Sequence, residues 1–253
     1  LSSRDLVWDG CLNARDLGGL PTRDGGETRF GAVVRADSVR QLSPEGWQAL
    51  AEHGVRTVID LRSDQELLDD PPADVRVNVL HVPFMKTSDE EWKRIESEIE
   101  AAVAAAPDTP TQTREVYLVF VDHFEANVAA AVRAIADAPE GGVVVHCAGG
   151  KDRTGILVAL ILDLAGVDRE TIAADYALSE ARLRPRLEQW LAAAGAESEE
   201  EVERLKRVAQ TPAESMSGLL AELERRHGGV AAFLRSIGVD DDDLQRVRAR
   251  LRD

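Results

Sequence analysis

Residues 141–155 read Gly-Gly-Val-Val-Val-His-Cys-Ala-Gly-Gly-Lys-Asp-Arg-Thr-Gly, and an almost wholly apolar run, 156–165, follows at once. The β-branched triplet Val143, Val144 and Val145 predicts a strand, and the apolar run predicts a helix buried nearly all round. The glycine-containing loop between them sets Cys147 at a strand-to-helix turn. Backbone N–H groups of a tight loop, with the orphan N–H groups of a helix start, make a concave donor cluster suited to an anion. Arg153 adds a planar fork that grips two oxygens of a phosphate at once, a geometry lysine lacks. The same dipoles and charge favour the thiolate form of Cys147. A nucleophile and a phosphate holder thus stand six residues apart.

A lone cysteine beside a glycine turn is more simply a buried structural residue. Here Cys at a strand end, Arg six positions on, Gly150 between them and Thr-Gly opening a helix form a joint pattern that structure alone does not require. The string HCAGGKDRTG, residues 146–155, resembles the Cys-x5-Arg active-site signature of protein tyrosine phosphatases. Its Gly-Lys-Asp-Arg-Thr-Gly ending is similar to that of atypical bacterial dual-specificity and lipid phosphatases of the mycobacterial protein tyrosine phosphatase B type. The resemblance implies an α/β fold like that of the cysteine phosphatases, with a central, largely parallel sheet flanked by helices. It also implies hydrolysis of phosphotyrosine, with phosphoserine, phosphothreonine or phosphoinositides as further substrates.

The 253 residues carry no long Pro/Gly/Ser-rich linker, so the expectation is one α/β domain spanning 1–253. Thirty basic residues against 46 acidic ones leave a formal charge of −16, which repels nucleic acid and anionic membrane surfaces. Positive potential must therefore be local to the 147–153 loop. No apolar run approaches the ~20 residues of a membrane span, so stable membrane insertion is not expected. Two cysteines 136 positions apart make no metal spacing and point to a reducing, cytoplasmic compartment. The sequence opens at Leu1 without a basic-plus-apolar leader, which leaves secretion open through a removed one. Cys11 reads as a small apolar filler. Oligomeric state is not legible.

Along the chain, 13–35 reads as a β-hairpin leading into a strand, with turn residues at Asp24, Gly25 and Gly26. Its Asn-x-Arg-Asp-Leu-Gly-Gly start, 13–19, is similar to an N-terminal signature of the same phosphatases. That resemblance makes Arg15 and Asp16 candidates for buttressing the site. Ser43 and Pro44 predict a helix start, with Trp47, Leu50 and Ala51 as its apolar stripe. The 55–61 segment reads as a central strand ending at Asp60 and Arg62, and functional groups in open α/β sheets gather at such carboxyl ends. The family carries Asp-Leu-Arg there, followed by a glutamate like Glu66. The alternative for Asp60 and Arg62 is a strand-end ion pair with the next helix.

Another strand is expected at 77–82, and helices at 88–106 and 113–136, with Pro107 and Pro110 ending the first. Beyond the 156–164 helix, further helices are expected at 169–179, 181–194, 199–209, 212–226, 229–237 and 241–252. The resemblance continues through Asp175-Tyr176-Ala177-Leu178-Ser179 and the C-terminal tail. In similar phosphatases part of this helical half covers the pocket as a lid, which gives 197–226 that reading beside the one of solvated outer helices.

Phosphomonoester hydrolysis needs in-line attack, stabilisation of three equatorial oxygens and a proton for the leaving group. Cys147 supplies the attack. Backbone N–H groups of Ala148, Gly149, Gly150, Lys151, Asp152 and Arg153, with the Arg153 guanidinium, form the anion hole. A phosphocysteine intermediate, hydrolysed by water, requires neither metal nor cofactor. The Thr154 hydroxyl can stabilise the thiolate as it leaves, and His146 orients the loop. In similar phosphatases with Lys-Asp-Arg the aspartate is the general acid, which points to Asp152, with Asp108 and Asp122 in reserve. Lys151 adds potential for multiply anionic substrates, or else pairs with a neighbouring carboxylate. Two other classes remain: a phospho-ligand binding module without turnover, and thiol-based redox or arsenate chemistry.

Overall fold

The structure is a computed structural model and describes residues 4–70, 77–193 and 199–252. Its five strands are β1 (Arg15–Asp16), β2 (Val33–Ala36), β3 (Val55–Asp60), β4 (Asn78–His81) and β5 (Gly142–His146). They form one sheet in the order β1-β2-β5-β3-β4, parallel throughout except for the short edge strand β1. The register aligns Ala36 and Asp60 with His146, so β2, β3 and β5 end at one level. The residues that follow, Asp37, Leu61 and Cys147, emerge side by side along that edge, where ligands gather in open α/β sheets.

Strand residues alternate between two apolar clusters, as the period of two demands. Val33, Ile59, Val143 and Val145 face the larger cluster, and Val34, Ala36, Val58 and Val144 the smaller. The smaller face is covered by Trp8 and by α1 (Pro44–Glu52), which Ser43 caps through the Gly46 N–H. α1 buries Gly46 and Leu50, whereas Ala51, expected in its stripe, is exposed. α2 (Asp64–Asp69) follows β3 behind a capping box made by Ser63 and Glu66.

The larger face is built from α4 (Thr109–His123), α5 (Glu125–Asp137), α6 (Asp152–Leu164), α9 (Ala213–His227), α10 (Val230–Ser236) and α11 (Asp241–Arg252), with α3 (Asp89–Ala105) outside α4. α7 (Arg169–Ala193) and α8 (Glu199–Ala209) complete the set among the described residues. Every residue of α6 from Thr154 to Leu162 is buried, so the start of this helix is held rigidly at the sheet's edge.

Three helix boundaries differ from expectation. The 113–136 helix is two, α4 and α5, broken at Phe124, whose backbone at φ −113° and ψ 31° caps both. Phe124 is buried beside Ile95 and Val119, so packing against α3 breaks a segment with no local breaker. Pro110 starts α4 rather than ending α3, because the first turn tolerates a missing N–H. The segments 169–179 and 181–194 are one helix, α7, which accommodates Pro185. There the Glu180 N–H bonds the Thr211 hydroxyl at 3.1 Å, a side-chain tie across from the chain after α8. Of the 197–226 segment, α9 belongs to the core through Met216, Leu219, Leu220 and Leu223, while 194–198 lies outside the described residues.

Candidate active site

β5 delivers Cys147, 2% exposed, into the loop that opens α6. Three successive carbonyls of this loop are tied from behind. Ala148 O accepts from the Ser38 N–H, Gly149 O from the Asn13 amide at 3.0 Å, and Gly150 O from Asn13 and from Arg35 at 2.8 Å. Gly150 has φ +63°, and a Cβ there would lie 2.1 Å from Ala36 O. The left-handed turn and the close approach both require glycine. With the carbonyls held outward, the N–H groups of residues 148–153 are left with no protein acceptor among the described residues. This is the geometry of an anion nest at a helix start.

Arg153 is held by Glu66, which accepts from both terminal nitrogens at 2.6 and 2.9 Å. Burial pulls against charge on both partners, yet Cys147 and then Glu66 raise the Arg153 pKa, and Arg153 holds Glu66 down to about 2. Glu66 is itself pinned by the Ser63 N–H at 2.8 Å. Two of the five guanidinium N–H groups are so engaged, which leaves an edge for a ligand. Thr154 is fully buried, and its hydroxyl has no partner among the described residues. His146 sits with Nδ1 3.1 Å from Cys147 O and Nε2 3.7 Å from Asp60; burial lowers its pKa, against Asp60, toward the neutral form.

The buttress reaches further than the N-terminal motif suggested. Arg15 is buried and donates to Asn13, Asp175 and Ser179, and Arg35 joins the same Asp175 at 2.9 Å. Burial would raise the Asp175 pKa, but Arg15, Arg35 and Arg4 hold it far below the carboxylate range. Asn13 and Arg35 carry this network to the loop carbonyls. Asp37 adds a second tie, accepting from the Leu12 and Asn13 N–H groups and from Arg186. Asp16 lies elsewhere. It accepts from the Gly18 and Gly31 N–H groups at 2.8 Å and meets His53 at 2.7 Å, so it holds the hairpin rather than the loop.

Asp60 and Arg62 pair with each other, at 2.7 Å, and Arg62 also reaches Asp70. Both are nearly buried, and Asp60 also stands 3.7 Å from His146 Nε2. Arg35, Glu66 and Tyr117 were not singled out by residue chemistry. A charged residue inside the apolar run 32–36 was the available signal for Arg35, and Glu66 was visible through the resemblance alone.

Asp152, the first residue of α6, accepts at Oδ1 from the Tyr117 hydroxyl at 2.5 Å and lies 3.4 Å from Lys151 Nζ. Lys151 also donates to Val208 O, a carbonyl in the last turn of α8. The reserve aspartates are occupied elsewhere: Asp108 caps α4 at the Thr111 N–H, and Asp122 pairs with Arg226. A cleft of about 910 Å³ opens beside Lys151, Asp152 and Arg153. Met85, Trp92, Val116 and Phe120 form its apolar wall, and Arg204, Arg207 and Val208 of α8 its opposite rim.

A family model described as "Tyrosine phosphatase family" matches residues 6–253. The chain belongs to the tyrosine phosphatase family. As a member it is a cysteine-dependent phosphatase of the protein-tyrosine-phosphatase type, and the family implies phosphoprotein substrates. It is 30% identical over 227 residues to a "Tyrosine-protein phosphatase" of Nostoc commune, covering 87% of this chain and 74% of that one. It is 27% identical over 271 residues to the "Triple specificity protein phosphatase PtpB" of Mycobacterium tuberculosis, covering 96% and 97%. A putative tyrosine-protein phosphatase of Cupriavidus necator is 29% identical over 184 residues, covering 70% and 64%. No helix among the described residues of this tyrosine phosphatase is long and apolar enough to cross a membrane.

Proposed function

We propose that Cys147 is the nucleophile of this phosphatase and that its reaction runs through a phosphocysteine. The observation that carries the reading is the loop itself: the carbonyls of Ala148, Gly149 and Gly150 are all tied to other parts of the chain, while the six N–H groups of residues 148–153, next to Cys147, have no protein acceptor among the described residues. Such preorganised donors stabilise charge on the equatorial oxygens of the transferring phosphoryl group without reorganising. Arg153 contributes its free edge while Glu66 keeps its plane fixed. Thr154 offers its unpartnered hydroxyl to the sulfur when water expels it from phosphorus. His146 and the Asn13, Arg15 and Arg35 network hold the loop.

Asp152 is assigned as the proton donor to the leaving oxygen, since it stands at the cleft with a fixed orientation while Asp108 and Asp122 are engaged away from it. For substrates, the apolar wall of Met85, Trp92, Val116 and Phe120 favours phosphotyrosine, whose ring such side chains bury. The triple specificity in the mycobacterial relative's name extends this reading to substrates beyond phosphotyrosine, for which phosphoserine, phosphothreonine and phosphoinositides are the classes to test. Two free thiols support a reducing, cytoplasmic setting.

The test is Cys147→Ser assayed on an aryl phosphate with chelator present. Turnover is expected to fall by more than about a thousandfold, with binding of inorganic phosphate retained, and acid quench of the wild type is expected to trap phosphate on Cys147. Retained turnover in Cys147→Ser, or a requirement for Cys11, overturns the assignment.

A further inference from the structure

Two buried tyrosines converge on Asp152. Tyr117, from α4, and Tyr176, from α7, are each 1% exposed, and their rings meet edge to face at 6.0 Å. The Tyr117 hydroxyl donates to Asp152 Oδ1 at 2.5 Å and lies 2.7 Å from the Tyr176 hydroxyl. A phenol has one proton to donate. That of Tyr117 is committed to the carboxylate, so Tyr176 donates the bond between the two rings, and the chain runs in one direction from Tyr176 through Tyr117 to Asp152.

Burial first, and then the charge of Asp152, raise the pKa of both phenols, that of Tyr117 well above its ordinary value. They stay protonated and act as fixed donors rather than as relays. Lys151 Nζ approaches the same Oδ1, at 3.4 Å, while no donor among the described residues reaches Oδ2. The arrangement is built into the start of α6. A Cβ on Gly155 would come within 3.1 Å of the Tyr176 ring, so the small residue makes room for it one turn after the loop. Two phenylalanines would bury the same rings without polar atoms to satisfy.

Resting on the reading of Asp152 as proton donor, we propose that Tyr117, backed by Tyr176, is a positioning residue that divides the labour of that carboxyl group: Oδ1 accepts from the phenol, and Oδ2 carries the proton. A carboxylic acid whose one oxygen already accepts hydrogen bonds holds its proton on the other. As the sulfur of Cys147 bonds to phosphorus, the bond from phosphorus to the leaving oxygen breaks and its electron pair stays on that oxygen. The oxygen takes the proton from Oδ2, and Asp152 is left as a carboxylate stabilised at Oδ1. In the second step water bonds to phosphorus, the sulfur–phosphorus bond breaks with its electron pair on Cys147, and Oδ2 takes the water's proton, which releases phosphate and closes the cycle.

The experiment is a leaving-group series, from nitrophenyl to alkyl phosphates, measured on wild type, Tyr117→Phe, Tyr176→Phe and Asp152→Asn. Protonation matters most for poor leaving groups, so the ratio of kcat/KM between good and poor ones reads the donor directly. In Tyr117→Phe this ratio is expected to rise by about ten- to a hundredfold, the worth of one hydrogen bond to a charged group. Tyr176→Phe is expected to move it the same way by less, and serves alone if Tyr117→Phe does not fold. The acidic and basic limbs of the kcat profile are expected to move with it, which a purely structural loss does not cause. An unchanged ratio in both tyrosine variants, with Asp152→Asn strongly leaving-group dependent, overturns the positioning role and spares Asp152. A ratio unchanged in Asp152→Asn removes the donor assignment itself, and this inference with it.

Discussion

Glu66 grips the Arg153 guanidinium with both carboxylate oxygens, at 2.6 and 2.9 Å, although 87 positions separate them in the chain. The capping box of α2 thereby reaches across the cleft and sets the plane of that guanidinium. Glu66→Gln keeps the shape and loses one charged acceptor, so kcat/KM for an aryl phosphate is expected to fall about tenfold, mainly through KM. The pH dependence has a definite sign. Glu66 is lowered from 4.5 to about 2, so the stability it contributes is fully present above pH 4.5 and is lost as pH falls toward 2. Acid denaturation of wild type and Glu66→Gln should converge over that window.

Asp175 is the sole carboxylate among the described residues that binds Arg15 and Arg35 together, and it is wholly buried. Asp175→Asn leaves two buried guanidiniums facing each other. Stability is expected to drop by about 3–5 kcal/mol, as when one partner of a buried ion pair is removed. Urea unfolding measures it as a lower midpoint with an unchanged slope.

Gly150→Ala asks for a left-handed backbone with a Cβ 2.1 Å from Ala36 O. The loop must shift, and displacement of the anion hole by about an ångström costs on the order of a hundredfold in kcat/KM. Orthovanadate affinity is expected to fall in parallel, while circular dichroism stays that of the wild type.

Cys11 packs in the smaller apolar cluster with its sulfur 3.9 Å from Asp37 O, and burial, then Asp37, push its thiol pKa upward. Such a thiol is a poor nucleophile. Cys11→Ser is expected to keep phosphatase activity within about threefold, and thiol labelling of the native enzyme with iodoacetate should show no loss of a fast-reacting group in that variant. Loss of activity would point to redox chemistry.

Much of the site was legible in the chain because its chemistry is local. The strand, the loop, Cys147, Arg153 and the helix start lie within residues 141–165, where β-branched residues, glycines and an apolar run dictate their own conformations. The cap at Ser43 and the long stripe of α3 were legible for the same reason. Errors fell where packing overrules propensity. Phe124 breaks a helix without a breaker because its ring is buried against α3, and α7 runs through Pro185 where two shorter helices were expected.

Sequence by itself determined an α/β chain with a thiol and an arginine in one strand-to-helix loop, since six residues of backbone suffice to bring those groups together. Only the tertiary structure decided what holds that loop and what serves it. Asn13 and Arg35 meet the carbonyls of Gly149 and Gly150 across more than a hundred residues, Glu66 meets Arg153, and Tyr117 meets Asp152. Asp60 and Arg62, equally eligible by position at a strand end, turn to each other instead. Such pairings arise where sheet register and helix packing bring distant polar groups into a dry interior, where each must find a partner, and no local pattern names it.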